Sequence, residues 1–392
     1  MAQKIAILQA GGPTAVLNCS LYGLLKEIYR CNENAEIFGV RNGMAGLATG
    51  DWYPIDRLQP LEWLRFVPGA ALGSGRKPLS DDDFETAILK LKQADIHTVA
   101  LLGGNGTMWS CSRLSRMAEE IGYDLQVVGI PKTVDNDLTG MDHTPGFPSA
   151  AKFVAYAVRD LSTDLAAMKN FEQVRVIETM GRNVGWLAAS AVYFKERPED
   201  APHLTYVPEV SFHLEDMLKK VADIQSQLGY CVIVVSEGLK GKDGRPIMMK
   251  GITAGGSAQP KALGGVGSVL ADAINANLGL SCRYENLGIL QRCASFHVSE
   301  LDRIEAEALG TRGAQMIFRG EHGLMVGIQR VSDVPYQWEI REMSFDGIGG
   351  RERELEQRYI SSAGRIDPSY RTWLEPFMGP TISYRTTLSQ RR

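Results

Sequence analysis

Residues 97–137, HTVALLGGNGTMWSCSRLSRMAEEIGYDLQVVGIPKTVDND, hold two apolar runs that each end in a polar or glycine-rich loop. His97 to Leu102 reads as a buried strand and Gly103-Gly104-Asn105-Gly106-Thr107 as the loop after it. A helical stretch follows to about Ile121, then a second strand from Gln126 to Ile130, then Pro131-Lys132-Thr133-Val134-Asp135-Asn136-Asp137. Strand, helix and strand in this alternation mark a parallel sheet with crossover helices, and the fold class is α/β.

The same alternation extends in both directions. Towards the N-terminus, Ile5 to Leu8 reads as a buried strand, Gly11-Gly12-Pro13 as a turn, Asn18 as the N-cap of a helix to about Tyr29, and Ala35 to Val40 as a strand. Asp81-Asp82-Asp83 opens another helix, its carboxylates favoured at the positive end of the helix dipole. Towards the C-terminus a second series begins with a helix from Ser149 and includes strands near Val174–Ile177, Leu204–Val207 and Tyr230–Val235. The Gly- and Lys-rich stretch 240–259 is expected to be a mobile loop. Ala306 to Phe318 is expected to be an amphipathic helix returning to the first domain. A chain of 392 residues fits two domains. The expected division is 1–145 with a returning segment at about 291–365, a second domain over 146–290, and a C-terminal tail over 366–392.

With 44% hydrophobic and 22% charged residues the composition is globular, which excludes disorder. Lys and Arg number 42 against 46 Asp and Glu, a net charge of -4, so no electrostatic footprint argues for nucleic acid or an anionic membrane. Basic residues must then act locally. No stretch of about 18 apolar residues occurs, and the first residues lack the apolar region of a secretory signal, so neither a membrane span nor a leader is expected. The cysteines at 19, 31, 111, 231, 282 and 293 form no CxxC pair, which suits a reduced, cytoplasmic protein without a metal–thiolate site.

Three strand ends in the first half carry candidate chemistry: Gly11-Gly12, Gly103 to Thr107, and Lys132 to Asp137. In an open parallel sheet the carboxyl ends of strands share one edge, so the three loops can converge on one crevice. Glycines let backbone N–H groups approach a phosphate, and a helix beginning near Gly106 would aim its N-terminus at that anion. Taken alone, each glycine pair reads equally as a tight turn. The segment 132–137 crowds one cation and two carboxylates into six residues after an apolar strand. One carboxylate can take a proton from an attacking hydroxyl, the other can hold Mg²⁺, and Lys132 can neutralise phosphate oxygens, the roles that phosphoryl transfer requires. The alternative is an Asx-turn or a helix cap with solvated charges. The histidines at 97, 143, 203, 213, 297 and 322 show no HxxxH pairing and read as surface or core residues, with His143 nearest the 132–137 loop. Trp52, Trp63 and Trp109 read as packing residues, with stacking on a base as the alternative.

The motifs Gly11-Gly12-Pro13-Thr14-Ala15-Val16-Leu17-Asn18, Gly103 to Thr107, Pro131 to Asp137, Met180-Gly181-Arg182, Ser236-Glu237-Gly238 and Gly288-Ile289-Leu290-Gln291-Arg292 stand in a fixed order. In that order and spacing the chain resembles the phosphofructokinase family over residues 4 to about 330. Through Arg41-Asn42-Gly43, Pro145-Gly146-Phe147 and Met180 to Trp186 it is most similar to the bacterial branch that contains pyrophosphate-dependent enzymes. The resemblance implies two Rossmann-like domains with largely parallel sheets, the first binding the donor and the second a sugar phosphate. It implies phosphoryl transfer from ATP or pyrophosphate to the 1-hydroxyl of fructose 6-phosphate or a related ketose phosphate. Gly11, Arg76, Gly104, Asn105, Gly106 and Thr107 would hold the donor, with Arg76 and Lys132 at the transferring group. Asp135 would be the general base, Thr133 its positioning neighbour, and Asn105 and Asp137 the Mg²⁺ side. Met180, Gly181, Arg182 and Glu237 would line the sugar, and Arg283 and Arg292 would clamp its phosphate. The resemblance also implies a homo-oligomer, a dimer or tetramer.

Three positions depart from the family pattern. Asn105 stands where an acidic residue or glycine is usual, Ile289 replaces a His or Tyr that contacts the acceptor phosphate, and Gln173 replaces a basic residue. Arg175, two residues along the same strand and on the same face as Gln173, is the candidate to compensate. ATP is the expected donor, because Gly106 leaves room where an aspartate in many pyrophosphate users would crowd the nucleotide's α-phosphate; Lys132 points the other way. The expected acceptor behaviour is a high KM for fructose 6-phosphate, or preference for another acceptor such as sedoheptulose 7-phosphate. A regulatory sugar-phosphate-binding protein that has lost catalysis is the second reading. A nicotinamide-dependent dehydrogenase is disfavoured, since the first turn lacks G-x-G-x-x-G.

Overall fold

The computed structural model describes residues 3–242, 244–247, 265–345, 347–348 and 350–381. The chain opens with β1 (Lys4–Gln9), α1 (Leu17–Cys31), β2 (Glu36–Val40), α2 (Met44–Thr49) and β3 (Trp52–Pro54), then α3 (Asp81–Gln93), β4 (Thr98–Gly103), α4 (Asn105–Ile121) and β5 (Gln126–Pro131). The middle holds α5 (Phe147–Met168), β6 (Val174–Thr179), α6 (Trp186–Ser190), β7 (Leu204–Tyr206), α7 (Leu214–Leu228), β8 (Cys231–Ser236), α8 (Val266–Leu278) and β9 (Cys282–Asn286). The last part contains α9 (Leu290–Cys293), α10 (Glu300–Phe318), β10 (Leu324–Asp333), β11 (Tyr336–Ser344) and α11 (Pro368–Met378). Of the 240–259 stretch, residue 243 and residues 248–259 lie outside the described residues.

The chain divides into two compact units, one of residues 1–150 and 292–353, the other of 151–291 and 354–392. The segment from Glu354 therefore belongs with the second unit, whereas the sequence suggests a return to the first as far as about 365.

The first unit carries a seven-stranded sheet in the order β11-β10-β5-β4-β1-β2-β3, parallel except for β11 and β3 at its edges. Alternate residues of its central strands face opposite layers. Ala6, Leu8, Val99 and Leu101 pack with Phe84, Ile88, Leu91, Met108 and Leu114 of α3 and α4. Ile5, Ile7, Ala100 and Leu102 pack with Leu21, Leu24, Leu309 and Ile317 of α1 and α10. Burial on both faces is why these strands are written as unbroken apolar runs.

Two local expectations are corrected. Asn18 is not an N-cap: α1 starts at Leu17 after Val16, and Asn18 is buried inside the first turn. Its Oδ1 accepts from Gln9 Nε2 at 3.1 Å and from the Ala71 N–H at 2.9 Å, while its Nδ2 donates to the Val67 carbonyl at 2.9 Å. This amide fastens segment 67–72, which leads to Arg76, against β1. The helix expected over Ala306–Phe318 starts earlier, capped by Ser299, and its buried residues include Asp302 and Glu305. It is not simply amphipathic. By contrast, Ser80 and Asp83 form a reciprocal capping box at the start of α3, where a helix opening is expected.

The second unit holds a four-stranded parallel sheet, β7-β8-β6-β9. Val174, Val176, Ile233 and Val235 pack with Met217 and Val221 of α7 and Leu270 and Ile274 of α8. On α6, the buried ring of Trp186 packs against Tyr359, Tyr370 and Trp373. No helix among the described residues is long and apolar enough to cross a membrane.

Candidate active site

In the first unit the strand order β5-β4-β1 sets the three expected loops side by side at one sheet edge. Backbone bonds join them: the Lys132 N–H donates to the Gly103 carbonyl at 2.9 Å and the Ala10 N–H to the Leu102 carbonyl at 2.8 Å, while the Gly11 N–H donates to the Gly75 carbonyl of the segment before Arg76 at 3.0 Å. Ser74 Oγ also donates to the Gly11 carbonyl, at 2.6 Å. Two glycines are required here: Gly11 has φ +79°, and a Cβ on Gly103 would fall 2.2 Å from Thr107 Oγ1. A Cβ on Gly12 would lie 2.7 Å from both the Arg76 and Arg292 guanidinium groups, which places these two cations against the first loop. Gly106 is different, since a Cβ there meets nothing within 4 Å. The first turn of α4 has no side-chain cap and no acidic residue; the Thr107 N–H donates to the Gly104 carbonyl at 2.9 Å, and the Asn105 and Gly106 N–H groups are left for an anion.

Lys132 is almost fully buried, and its Nζ donates to the Gly12 carbonyl at 2.7 Å. Burial, with repulsion from Arg76, brings its ammonium down to about 7, against a smaller opposing pull from Asp135. Arg292 is lowered as well, by burial and then by Arg76. Lys132, Arg76 and Arg292 thus form a cation cluster whose charge is disfavoured until an anion arrives. Arg292 stands in this first-unit cluster.

Asp135 lies in the turn after β5, where its N–H donates to Thr133 Oγ1 at 3.1 Å. The next residue, Asn136, has φ +57°. Asp137 Oδ1 is closed off from solvent without a hydrogen-bond partner, and burial holds the Asp137 carboxyl above its usual range. An orphaned carboxylate oxygen fits a hard cation, and Mg²⁺ commonly takes only one or two carboxylates plus substrate phosphates. The lack of any three-residue metal cluster among the described residues is compatible with that. Asn105 is placed differently. Its Oδ1 accepts from the Gly350 N–H at 2.7 Å and its Nδ2 donates to the Arg351 carbonyl at 2.7 Å and to Asp137 Oδ2 at 3.4 Å. The amide is committed to the segment after β11; an aspartate could keep the bond from the Gly350 N–H, but its second oxygen would face the Arg351 carbonyl and Asp137 Oδ2.

In the second unit, Met180-Gly181-Arg182 follows β6 and Glu237 follows β8. Gly181 has φ +130°, its carbonyl accepts from Ser236 Oγ at 2.5 Å, and a Cβ on Gly238 would fall 1.8 Å from the Arg182 carbonyl. The two loops are locked together. The Met180 N–H donates to Gln291 Oε1 at 2.9 Å, and Arg182 is exposed. Arg283 on β9 is also exposed, 3.6 Å from Glu172. The expectation that Arg175 compensates for Gln173 is corrected: Arg175 is buried, bonded to Glu172 at 2.9 and 3.0 Å and to Asp164 at 2.8 Å. Gln173 is itself engaged, its Oε1 accepting from the Ser281 N–H at 2.8 Å. Ile289 is exposed.

A family model described as phosphofructokinase matches residues 4–317. The chain belongs to the phosphofructokinase family. It is 41% identical over 387 residues to a sulfofructose kinase of Alkalicoccus urumqiensis, covering 98% of each chain. It is 33% identical over 390 residues to a pyrophosphate–fructose 6-phosphate 1-phosphotransferase of Halomonas elongata, covering 96% of this chain and 92% of that one. The crystal structure of a pyrophosphate-dependent phosphofructokinase from Nitrosospira multiformis matches with a TM-score of 0.86 at 30% identity, over 98% of this chain and 94% of that one.

Membership in the phosphofructokinase family makes the protein a phosphotransferase acting on fructose 6-phosphate-like sugars. Several residues in its two half-sites escape sequence reasoning. Asn18 and Ser74 hold the approach to Arg76. Glu178, buried on β6, accepts from the Gly265 and Gly267 N–H groups and from Asn286 Nδ2, tying the start of α8 to β9. A buried carboxylate in a strand is the only signal that could have flagged it.

Proposed function

We propose that the protein transfers a phosphoryl group from ATP to the 1-hydroxyl of a fructose bearing an anionic group on carbon 6, and that a sulfonate suits the acceptor site better than a phosphate. Asp135 takes the proton of the attacking hydroxyl, with Lys132, Arg76 and the N-terminus of α4 neutralising charge on the transferring group. Asp137, together with the donor phosphates, would hold Mg²⁺, which would supply further charge neutralisation. The observation that carries the acceptor reading is the loss of cations in the second unit: Arg175 is locked into Glu172 and Asp164, Gln173 is neutral, and Ile289 is apolar. A phosphate monoester carries close to two negative charges at neutral pH, a sulfonate one. The sulfofructose kinase relative supports the same acceptor.

ATP is favoured by the open space at Gly106. Pyrophosphate is the second reading, supported by Lys132 and by the pyrophosphate-dependent relative. The test is a matrix of ATP and pyrophosphate against fructose 6-phosphate and 6-deoxy-6-sulfofructose with Mg²⁺, followed by Asp135→Asn. The expected result is a higher kcat/KM for the sulfonate with ATP, and a fall in kcat of roughly 10² to 10⁴ for Asp135→Asn. Equal or better turnover of fructose 6-phosphate would sink the acceptor reading. Turnover with pyrophosphate alone would sink the donor reading, and no turnover with any pair would favour the regulatory alternative.

A further inference from the structure

Among the described histidines, His143 has a setting that the proposed chemistry does not use. The ring is fully buried, with Nδ1 2.8 Å from Asp142 Oδ2 and Nε2 2.7 Å from Glu305 Oε2. A neutral imidazole has one N–H, so it can donate to only one of these carboxylates. With both carboxylates ionised, both contacts become hydrogen bonds only if the ring carries two protons. The alternative is a proton on Glu305, which leaves the ring neutral.

The surrounding elements set the charge balance. From α10 come Glu305 and Asp302; from β10, Arg330, which donates to Asp142 Oδ2 at 3.1 Å and also pairs with Asp333 at 2.9 Å. From β11, Tyr336 Oη donates to Glu305 Oε1 at 2.7 Å, and from the segment beyond, Arg353 donates to the Asp142 carbonyl at 2.5 Å. Asp142 and Glu305 thus face the two ring nitrogens one each, and an imidazolium meets both carboxylates with an N–H.

The loop that His143 anchors touches the catalytic turn directly. Thr144 Oγ1 donates to the Thr133 carbonyl at 2.9 Å, the Thr133 N–H donates to the Pro145 carbonyl at 3.1 Å, and the Thr144 N–H donates to Asn136 Oδ1 at 3.1 Å. Thr133 and Asn136 flank Asp135, and Asn136 adopts a left-handed conformation that needs support from outside. The far end of the loop is held by Asp302, which accepts from the Gly146 N–H at 2.9 Å and from the Ser149 N–H and Oγ. Two carboxylates one turn apart on α10 therefore hold the two ends of one loop.

We propose that His143 is a positioning residue for phosphoryl transfer: as an imidazolium shared by Asp142 and Glu305, it fixes the 142–146 loop that braces the turn presenting Asp135. The inference rests on the reading of Asp135 as the base. Burial works against the charged ring, but Glu305 and Asp142 outweigh it and push it up to about 9. That value lies above the unfolded one of about 6.5, so the ring's contribution is full below about pH 6.5 and is lost as pH rises through about 9.

The test uses the full chain. Ring ¹⁵N spectra near neutral pH, with His143→Gln identifying the resonance, are expected to show both His143 nitrogens protonated. Glu305→Gln is expected to lower the ring's titration midpoint by about one pH unit or more. His143→Gln is expected to lower kcat by about 10- to 10²-fold, the scale of a displacement of about 1 Å, with KM for each substrate changed less than about threefold. A neutral ring near pH 7, an unmoved midpoint in Glu305→Gln, or a folded His143→Gln variant that keeps its kcat would each overturn the proposal. Should His143→Gln fail to fold, Glu305→Gln takes its place: the ring resonance it shifts is that of His143, and its kcat is expected to fall by about 10-fold, an unchanged kcat overturning the proposal. Asp135→Asn separates the two readings: if it keeps kcat, the assignment of the base fails; if it loses kcat while His143→Gln does not, only the positioning role fails.

Discussion

At the scale of single residues, Lys132 and Asn105 of the proposed donor site are both set by their local partners. Lys132 sits at about 7, below the free lysine value of about 10.4, so above neutral pH the empty site holds a neutral amine. Between those values the unfolded chain binds a proton that the folded chain lacks, so this group's contribution to stability rises with pH. A bound donor phosphate restores the ammonium. Calorimetry of donor binding near pH 8, in buffers of different ionisation enthalpy, should therefore show more proton uptake by wild type than by Lys132→Met, by up to about one proton. Equal uptake by the two proteins would refute the depressed lysine. Asn105 makes a different kind of prediction, because its amide matches one N–H and one carbonyl of the 350–351 backbone. Asn105→Asp should forfeit the bond to the Arg351 carbonyl, worth about 0.5–1.5 kcal/mol, and speed amide exchange at Gly350 and Arg351. It should also lower the Mg²⁺ concentration for half-maximal activity, since an ionised oxygen attracts the cation more strongly than an amide. Unchanged exchange would show that the amide does not hold the segment.

At the scale of elements, the decisive contact is the crossing of α1 and α10, which carries the two carboxylates that hold the 142–149 loop. The helices meet backbone to backbone: a Cβ on Gly23 would fall 2.0 Å from the Glu307 carbonyl, and one on Gly310 would fall 2.0 Å from the Ser20 carbonyl. No rotamer change relieves a clash with a carbonyl, so the helices must separate. Gly23→Ala is expected to destabilise the first unit by about 1–3 kcal/mol, as overpacking does, despite alanine's better helix propensity. Urea denaturation measures it, and kcat should fall too because α10 carries Asp302 and Glu305. A variant as stable as wild type would mean that the crossing is looser than the distances state.

At the scale of the whole molecule, the readable parts were those whose partners lie near in sequence or whose burial is symmetric. β1, β4 and β5 are apolar on both faces, and the loops that follow them carry their chemistry in consecutive residues. In the sequence His143 stands out only by its nearness to such a loop, because Glu305, the partner that gives it meaning, lies on α10 at the far side of the second unit's sequence. The same distance hid the role of the C-terminal segment. Tyr359, Tyr370 and Trp373 look like an ordinary aromatic tail until Trp186 is seen beneath them, with Tyr370 Oη donating to the Trp186 carbonyl at 2.6 Å. Trp186 follows directly on the Met180–Gly185 loop, so this cover supports the loop proposed to bind the acceptor. Each unit has its own core, and single-transition unfolding is therefore not expected. Trp373→Ala removes a ring that packs on Trp186, Tyr370 and Phe377, and should destabilise the second unit by about 3–5 kcal/mol. Denaturation followed by tryptophan fluorescence should then show one transition shifted to lower urea, with the transition sensitive to Gly23→Ala left in place. If both transitions shift together, the C-terminal segment stabilises the chain as one cooperative body, and its assignment to the second unit alone is wrong.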